Sequence, residues 1–250
     1  MEVTAVIPAR YASSRFPGKP LADICGKPMI WWVYRQVKQL NEVGRIVVAT
    51  DDERISNVCK DEGMDVVMTR SDHPTHVHRI QEVSEKITSD YYLVVCGDEP
   101  LINPKVIRAA LPETNTKTEQ MYVGGLCRYM NDPAEVIDPA NIKIVTNEND
   151  ECILLSRSAV PFPYKTILFK YKKVVGVECY DKCALDFFVS TPKGTLEKIE
   201  DVTLQRFLEN KIHIQYRLVD SESLSVDTPR DLEKVIEIIK NNPDKYGYKC

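Results

Sequence analysis

The sequence predicts an α/β fold with a mostly parallel central sheet and an inserted antiparallel excursion, and three observations predict it. Short apolar, β-branched runs alternate with amphipathic helical patterns through roughly the first 110 residues, the signature of strand–helix–strand crossovers. The 250 residues are 43% hydrophobic and 28% charged, enough to bury a sizeable core without disulfide or metal staples. No stretch rich in Gly, Pro or Ser divides the chain, so one domain over 1–250 is expected, with the excursion at roughly 113–182.

The elements follow in order. Val3–Pro8 is a continuous apolar run and reads as a buried strand. Pro28–Asn41 repeats apolar residues at helical spacing, with Pro28 in the first turn. Arg45–Thr50 is a strand, and Asp52–Glu62 a helix stopped by Gly63. Met64–Met68 is a strand, Val77–Thr88 an amphipathic helix, Tyr91–Cys96 a strand and Pro104–Leu111 a helix. Four such units in succession imply right-handed crossovers and a parallel sheet covered on both faces. Beyond about residue 113 the texture changes. Glu113–Glu119 is a polar loop. Gln120–Tyr129, Ile142–Val145, Glu151–Leu155 and Val174–Tyr180 are strands without regular crossovers. Cys183–Val189 and Leu196–Glu209 are helical, Ile212–Arg217 is a strand, and Pro229–Lys240 is a capped helix. Of the adjacent Trp31 and Trp32, one belongs to the core and the other to a rim.

Composition excludes several functions. A formal net charge of −4 argues against a generic nucleic-acid binder. No apolar run approaches the ~18 residues of a membrane span, so no membrane partner is expected. The segment Met1–Tyr11 is too short and acidic for a signal peptide, so a cytoplasmic address is expected. The eight cysteines (Cys25, Cys59, Cys96, Cys127, Cys152, Cys179, Cys183 and Cys250) show no CxxC or zinc spacing and read as reduced thiols packed like small hydrophobes. No nucleophile elbow GxSxG occurs, so serine-triad chemistry is excluded.

In an open α/β sheet, ligands bind beyond the carboxyl ends of the strands. The loop leaving the first strand runs Ala9-Arg10-Tyr11-Ala12-Ser13-Ser14-Arg15-Phe16-Pro17-Gly18-Lys19-Pro20-Leu21. Arg10, Arg15 and Lys19 can converge on a polyanion, with Ser13, Ser14 and backbone amides adding hydrogen bonds. The pattern is neither GxGxxG nor a P-loop. The plainer alternative is a solvated basic loop. Two further segments, Gly97-Asp98-Glu99-Pro100 and Val226-Asp227-Thr228-Pro229, put an aspartate where a strand hands over to a loop or helix. Asp98 alone reads equally as a turn-former, and Asp227 as a helix N-cap.

IPARYASSRFPGKPLADICGKPMI resembles the N-terminal signature of the CMP-KDO synthetases, cytidylyltransferases that activate the eight-carbon acid sugar 3-deoxy-manno-octulosonate. The resemblance continues in order through VATDDERI, VVMTRSDH, GDEPLI, DPANIKIV, LLSRSAVPF and VDTPRDLEKV. It implies a Rossmann-like nucleotidyltransferase fold whose excursion serves dimerisation, hence a homodimer. It implies CTP as donor, a small anionic acceptor, Mg²⁺ as cofactor and pyrophosphate as leaving group. Asp98 and Asp227 would ligate the metal and, with Lys19 and Arg10, carry the catalysis. Ala9, Arg10, Ser13, Ser14, Arg15, Lys19, Arg70 and Arg79 would bind CTP. Arg79 reads alternatively as an exposed helical arginine.

The departures fall on the acceptor side. Thr75-His76-Val77-His78 stands where the family has Ser-Gly-Thr and an acid, and Cys96 where it has Gln. Lys172-Lys173-Val174-Val175 stands where a His is usual, and Thr203-Leu204-Gln205-Arg206 where the pattern is Glu-Gln-Leu-Arg. His76, His78, Cys96, Lys173 and Thr203 are therefore the acceptor-site candidates. An unpaired buried polar group costs about 1–3 kcal/mol, so such changes alter specificity. The expected acceptor is an octulosonate-like acid sugar. The alternatives are another acidic sugar, a phosphate or a phosphonate, or a catalytically silent nucleotide-binding homologue. His73, His76 and His78 cluster in sequence as a metal site, an acceptor contact or an ordinary surface loop.

Overall fold

The computed structural model describes residues 1–13, 15–113, 121–166, 168–221 and 223–247. They form two compact units, Met1–Arg108 with Ser221–Cys250, and Ala109–Asp220.

The first unit begins with β1 (Val3–Ala9), then a short hairpin of β2 (Asp23–Ile24) and β3 (Lys27–Pro28), and α1 (Met29–Val37). It continues through β4 (Arg45–Thr50), α2 (Glu53–Asp61), β5 (Val66–Met68), α3 (His76–Lys86), β6 (Tyr91–Val95) and α4 (Pro104–Arg108). β1 pairs in parallel with β4 on one side and β6 on the other, and β4 with β5. Val3, Ala5, Val6 and Ile7 are buried because β1 is central and covered on both faces. All four strands point the same way, so the loops after Ala9, Thr50, Met68 and Val95 leave from one edge. Pro28 lies outside the first helical turn: it is the extended N-cap of α1, at φ −66° and ψ 146°. Trp32 is fully buried, its indole N–H donating to the Ile24 carbonyl at 3.0 Å, while Trp31 is only partly covered.

The second unit contains β7 (Val123–Tyr129), α5 (Pro133–Ile137), β8 (Lys143–Thr146), β9 (Cys152–Ser156), β10 (Lys172–Asp181), α6 (Lys182–Ser190), α7 (Thr195–Glu200), α8 (Gln205–Glu209) and β11 (Gln215–Leu218). β10 runs antiparallel to β7 with a bulge between Val175 and Glu178, β8 runs antiparallel to β9 and β10, and β11 runs parallel to β7. The single helix expected over Leu196–Glu209 is instead two. Asp201 adopts φ 50° after α7, a left-handed conformation that Asp tolerates and that ends a helix. Helix α5 is an element the sequence reading lacks: Asp132 caps it by accepting from the Ala134 amide, with Pro133 in the first turn. Most of the expected polar loop, residues 114–119, lies outside the described residues.

The chain then returns to the first unit with α9 (Pro229–Asn241) and α10 (Pro243–Tyr246). Val235 and Ile239 of α9 pack with Ile24, Met29, Trp32 and Val226 in a fully buried cluster. The cysteine expectation needs two corrections, one of them that Cys183 is exposed rather than packed. Cys25 is disulfide-bonded, whereas Cys59, Cys127 and Cys179 are buried free thiols as expected. Cys250 lies outside the described residues. Among the described residues no helix is long and apolar enough to cross a membrane.

Candidate active site

β1 delivers Ala9, 3% exposed, to the edge where the long loop begins. The loop doubles back on itself. Gly18 sits at φ 72°, a conformation that favours glycine, and donates its amide to the Tyr11 carbonyl at 2.8 Å. A Cβ at Gly18 would press on the Tyr11 ring at 3.1 Å. The far end of the loop is a 3₁₀ turn, Lys19–Leu21. Ser13 accepts from the Phe16 amide at 3.3 Å, and Ser14 lies outside the described residues. The fold therefore aims Lys19 back at the strand edge.

Two acids meet it there. The turn after β6 is drawn tightly onto β1, since a Cβ on Gly97 would stand 3.1 Å from the Pro8 carbonyl oxygen. Beyond it, the Val226 amide donates to the Asp98 carbonyl at 2.9 Å, which brings Asp227 alongside. Lys19 Nζ lies 2.9 Å from Asp98 Oδ2 and 3.6 Å from Asp227 Oδ1. Those two legs laid end to end set the widest possible separation of the two carboxylate oxygens, 6.5 Å. Arg15 Nη2 adds a second cation, 3.0 Å from Asp227 Oδ1. Two carboxylates this close repel unless a cation stands between them, and here an ammonium does. The N-cap reading of Asp227 is overturned. The cap of α9 is Thr228, in a capping box with Asp231, so the Asp227 carboxylate is left for the cations.

A second cluster forms behind the loop. Arg79 has no exposed surface, which overturns its reading as an exposed helical arginine. It donates to Thr69 Oγ1 and pairs with Asp51 Oδ1 at 2.9 Å. Burial lowers its pKa, opposed by Asp51 and assisted by the charge of Arg10. Arg10 is held by donating to the His73 carbonyl at 2.5 Å. Glu82 organises this region. It accepts from the Arg70 amide at 2.9 Å, His73 Nε2 at 2.5 Å and Lys86 at 2.6 Å. Burial raises its pKa, but those hydrogen bonds prevail and hold it at about 2. The Arg70 side chain is 69% exposed and pairs with Asp72 at 3.0 Å.

The acceptor candidates fall in both units. His76 opens α3, and His78 Nδ1 lies 2.8 Å from Thr75 Oγ1. Cys96, half-buried, follows β6 and is not in a disulfide. Among the described residues no three His, Cys, Asp or Glu come together as a metal cluster, so the histidines form none. In the second unit, Lys173 is tied to Glu135 at 2.7 Å and Asn141 at 2.9 Å. Thr203 lies between α7 and α8, where its carbonyl accepts from the Arg206 amide at 3.3 Å. Arg206 is fully engaged by both oxygens of Glu197, each at 2.7 Å, and by the Phe188 and Thr191 carbonyls.

Sequence reasoning missed Glu82, Asp51 and the group Glu99, Ser223 and Ser225. Glu99 is 6% exposed and accepts from both serine hydroxyls. A readable signal existed for the last group: Ser223-Leu224-Ser225-Val226-Asp227 alternates polar and apolar residues.

Comparison with known proteins shows the family. A family model described as cytidylyltransferase matches residues 4–214. The 3-deoxy-manno-octulosonate cytidylyltransferase of Syntrophotalea carbinolica is 40% identical over 247 residues, covering 94% of this chain and 97% of its own. The Escherichia coli enzyme of that name is 37% identical over 230 residues, covering 92% and 93%. A solved CMP:2-keto-3-deoxy-manno-octonic acid synthetase complexed with CTP has a TM-score of 0.91 at 35% identity, covering 97% of this chain and 100% of that one. The inositol-1-phosphate CTP transferase of T. maritima, at TM-score 0.68, 18% identity and 99% and 98% coverage, shares the fold. The α/β nucleotidyltransferase fold is thus the one the sequence led us to expect, and the chain belongs to the cytidylyltransferase family, in the group of the CMP-KDO synthetases.

Proposed function

We propose that this cytidylyltransferase transfers CMP from CTP to the hydroxyl of a 3-deoxy-octulosonate-like acidic sugar, releasing pyrophosphate, with Mg²⁺ as cofactor. The observation that carries the reading is the convergence of Asp98 and Asp227 on Lys19, beyond the carboxyl ends of β1 and β6. Asp98 and Asp227 would hold the Mg²⁺. Their oxygens are hard donors of the kind Mg²⁺ prefers, and they already share one cation. Bound there, the ion would supply positive charge at the α-phosphate, where charge builds during transfer.

The chain's own residues do the remainder. Arg15 and Lys19 neutralise the triphosphate oxygens. Arg10, fixed by the His73 carbonyl, and the backbone at Ala9, with Ser13, face the nucleotide. Arg70, exposed and lightly held, reads the base edge, while buried Arg79 supports the ribose side. The acceptor oxygen attacks the α-phosphorus, and the bond to the bridging oxygen breaks as pyrophosphate leaves in line. No protein nucleophile is required.

A second reading, transfer to a different anionic acceptor, is favoured by the residues His76, His78, Cys96, Lys173 and Thr203 at acceptor-side positions. Pyrophosphate release with CTP separates the readings, using 3-deoxy-manno-octulosonate, another acidic sugar, a phosphate and a phosphonate as acceptors. Turnover of the octulosonate supports the first reading, and turnover of another anion alone supports the second. Release with none of them leaves a silent nucleotide-binding homologue, and equal use of UTP defeats the cytidine assignment. The same reading makes the protein a cytoplasmic homodimer. Sedimentation at twice the monomer mass is the expected result, and a monomer would remove that part.

A further inference from the structure

We propose that Glu99, Ser223 and Ser225 form a latch that positions Asp227 against Asp98. The proposal rests on the reading above that these two aspartates hold a divalent ion. Residues 223–227 carry no regular secondary structure, so something other than a ladder must set their register. In an extended segment alternate side chains face opposite ways. Leu224 and Val226 pack into the cluster of Ile24, Met29, Trp32, Val235 and Ile239. Ser223, Ser225 and Asp227 consequently face the other side together. Glu99 meets them there, accepting from Ser223 Oγ and from Ser225 Oγ at 3.1 Å. Between the two serines and Asp227, the Val226 amide donates to the Asp98 carbonyl at 2.9 Å.

The chemistry explains why the contact is worth building. Glu99 is 6% exposed, and a buried carboxylate is tolerated when hydrogen-bond donors replace its water. The two hydroxyls do so from alternate residues of one segment, so they bind Glu99 only in one register. A slip of one residue would turn Asp227 toward the core and Val226 toward the cations. The acid directly after Asp98 thus fixes the segment that carries Asp227. Glu99, Ser223 and Ser225 are positioning residues.

The test compares Ser223→Ala/Ser225→Ala, Glu99→Gln and Glu99→Ala with the parent protein. Amide hydrogen exchange over 223–228, read without metal or nucleotide, should quicken about 10-fold in the double serine variant. Mn²⁺ affinity in the presence of CTP, read by electron paramagnetic resonance, should weaken about 10-fold, the scale of losses when the partners of metal ligands are removed. kcat should fall with it while KM for CTP stays within twofold, because none of the three latch residues is among those assigned to CTP. Glu99→Gln keeps an acceptor for one serine and should recover more than half of the loss seen in Glu99→Ala. Exchange or Mn²⁺ affinity within twofold of the parent in the serine variant overturns the latch, as does an equal loss in the Gln and Ala variants. If the parent binds no more Mn²⁺ with CTP than CTP binds alone, the metal reading has failed, and the exchange measurement still decides the latch.

Discussion

Replacing Glu82 by Gln removes one charge from a side chain that ties together the Arg70 amide, His73 and Lys86. Those hydrogen bonds hold its carboxyl at about 2, against the ordinary 4.5 of a glutamate. At 1.36 kcal/mol per tenfold, that difference is worth about 3 kcal/mol of stability at neutral pH. Lys86 is 46% exposed, so solvent screening trims the figure to about 1–2 kcal/mol. For a chain of this size that is a melting-temperature loss of about 2–8 °C. The sign follows from the direction. A carboxyl lowered in the fold stabilises fully above its unfolded value of 4.5, and the contribution is lost as pH falls toward 2. Calorimetry of Glu82→Gln and the parent from pH 7 to pH 3 should therefore show a gap that narrows below about pH 4.5. Because His73 holds Arg10, KM for CTP should rise in the same variant. A gap that stays constant across that range, or no gap at pH 7, refutes the reasoning.

Three further outcomes are expected. Asp98→Asn and Asp227→Asn should each lower kcat by at least about 100-fold, the scale set by losing electrostatic stabilisation of a transition state; unaltered turnover in either would remove that residue from the mechanism. Lys19→Ala should raise KM for CTP, and an unchanged value would put Lys19 outside the triphosphate site. Gly97→Ala places a Cβ 3.1 Å from the Pro8 carbonyl, a backbone atom that cannot step aside, so kcat and melting temperature should fall together; wild-type values for both would show that the turn has room.

The parallel strands were legible because each is an unbroken apolar run whose burial leaves few other choices. The basic loop was legible because its charges lie next to one another. What the charges would meet was not, since the partners of Lys19 and Arg15 stand 79 and 212 residues away and only the fold joins them. The break at Asp201 escaped notice because helical periodicity resumes beyond it, and a single left-handed residue leaves no mark on a pattern of apolar positions. For Arg79 the alternative of an exposed helical arginine stays open in the sequence, because arginine usually is exposed. Its burial depends on Asp51 and Thr69, which belong to other loops. The serine alternation before Asp227 was visible, but without Glu99 opposite it had no meaning.

The first unit is assembled from both ends of the sequence, residues 1–108 and 221–250, with the other unit threaded between them. During synthesis the strands that position Asp98 therefore exist well before Asp227 leaves the ribosome. A nascent or C-terminally shortened chain can present the basic loop and one acid, but not the pair. If transfer needs both acids, as proposed, a chain interrupted before the returning segment would lack Asp227 and should release no pyrophosphate.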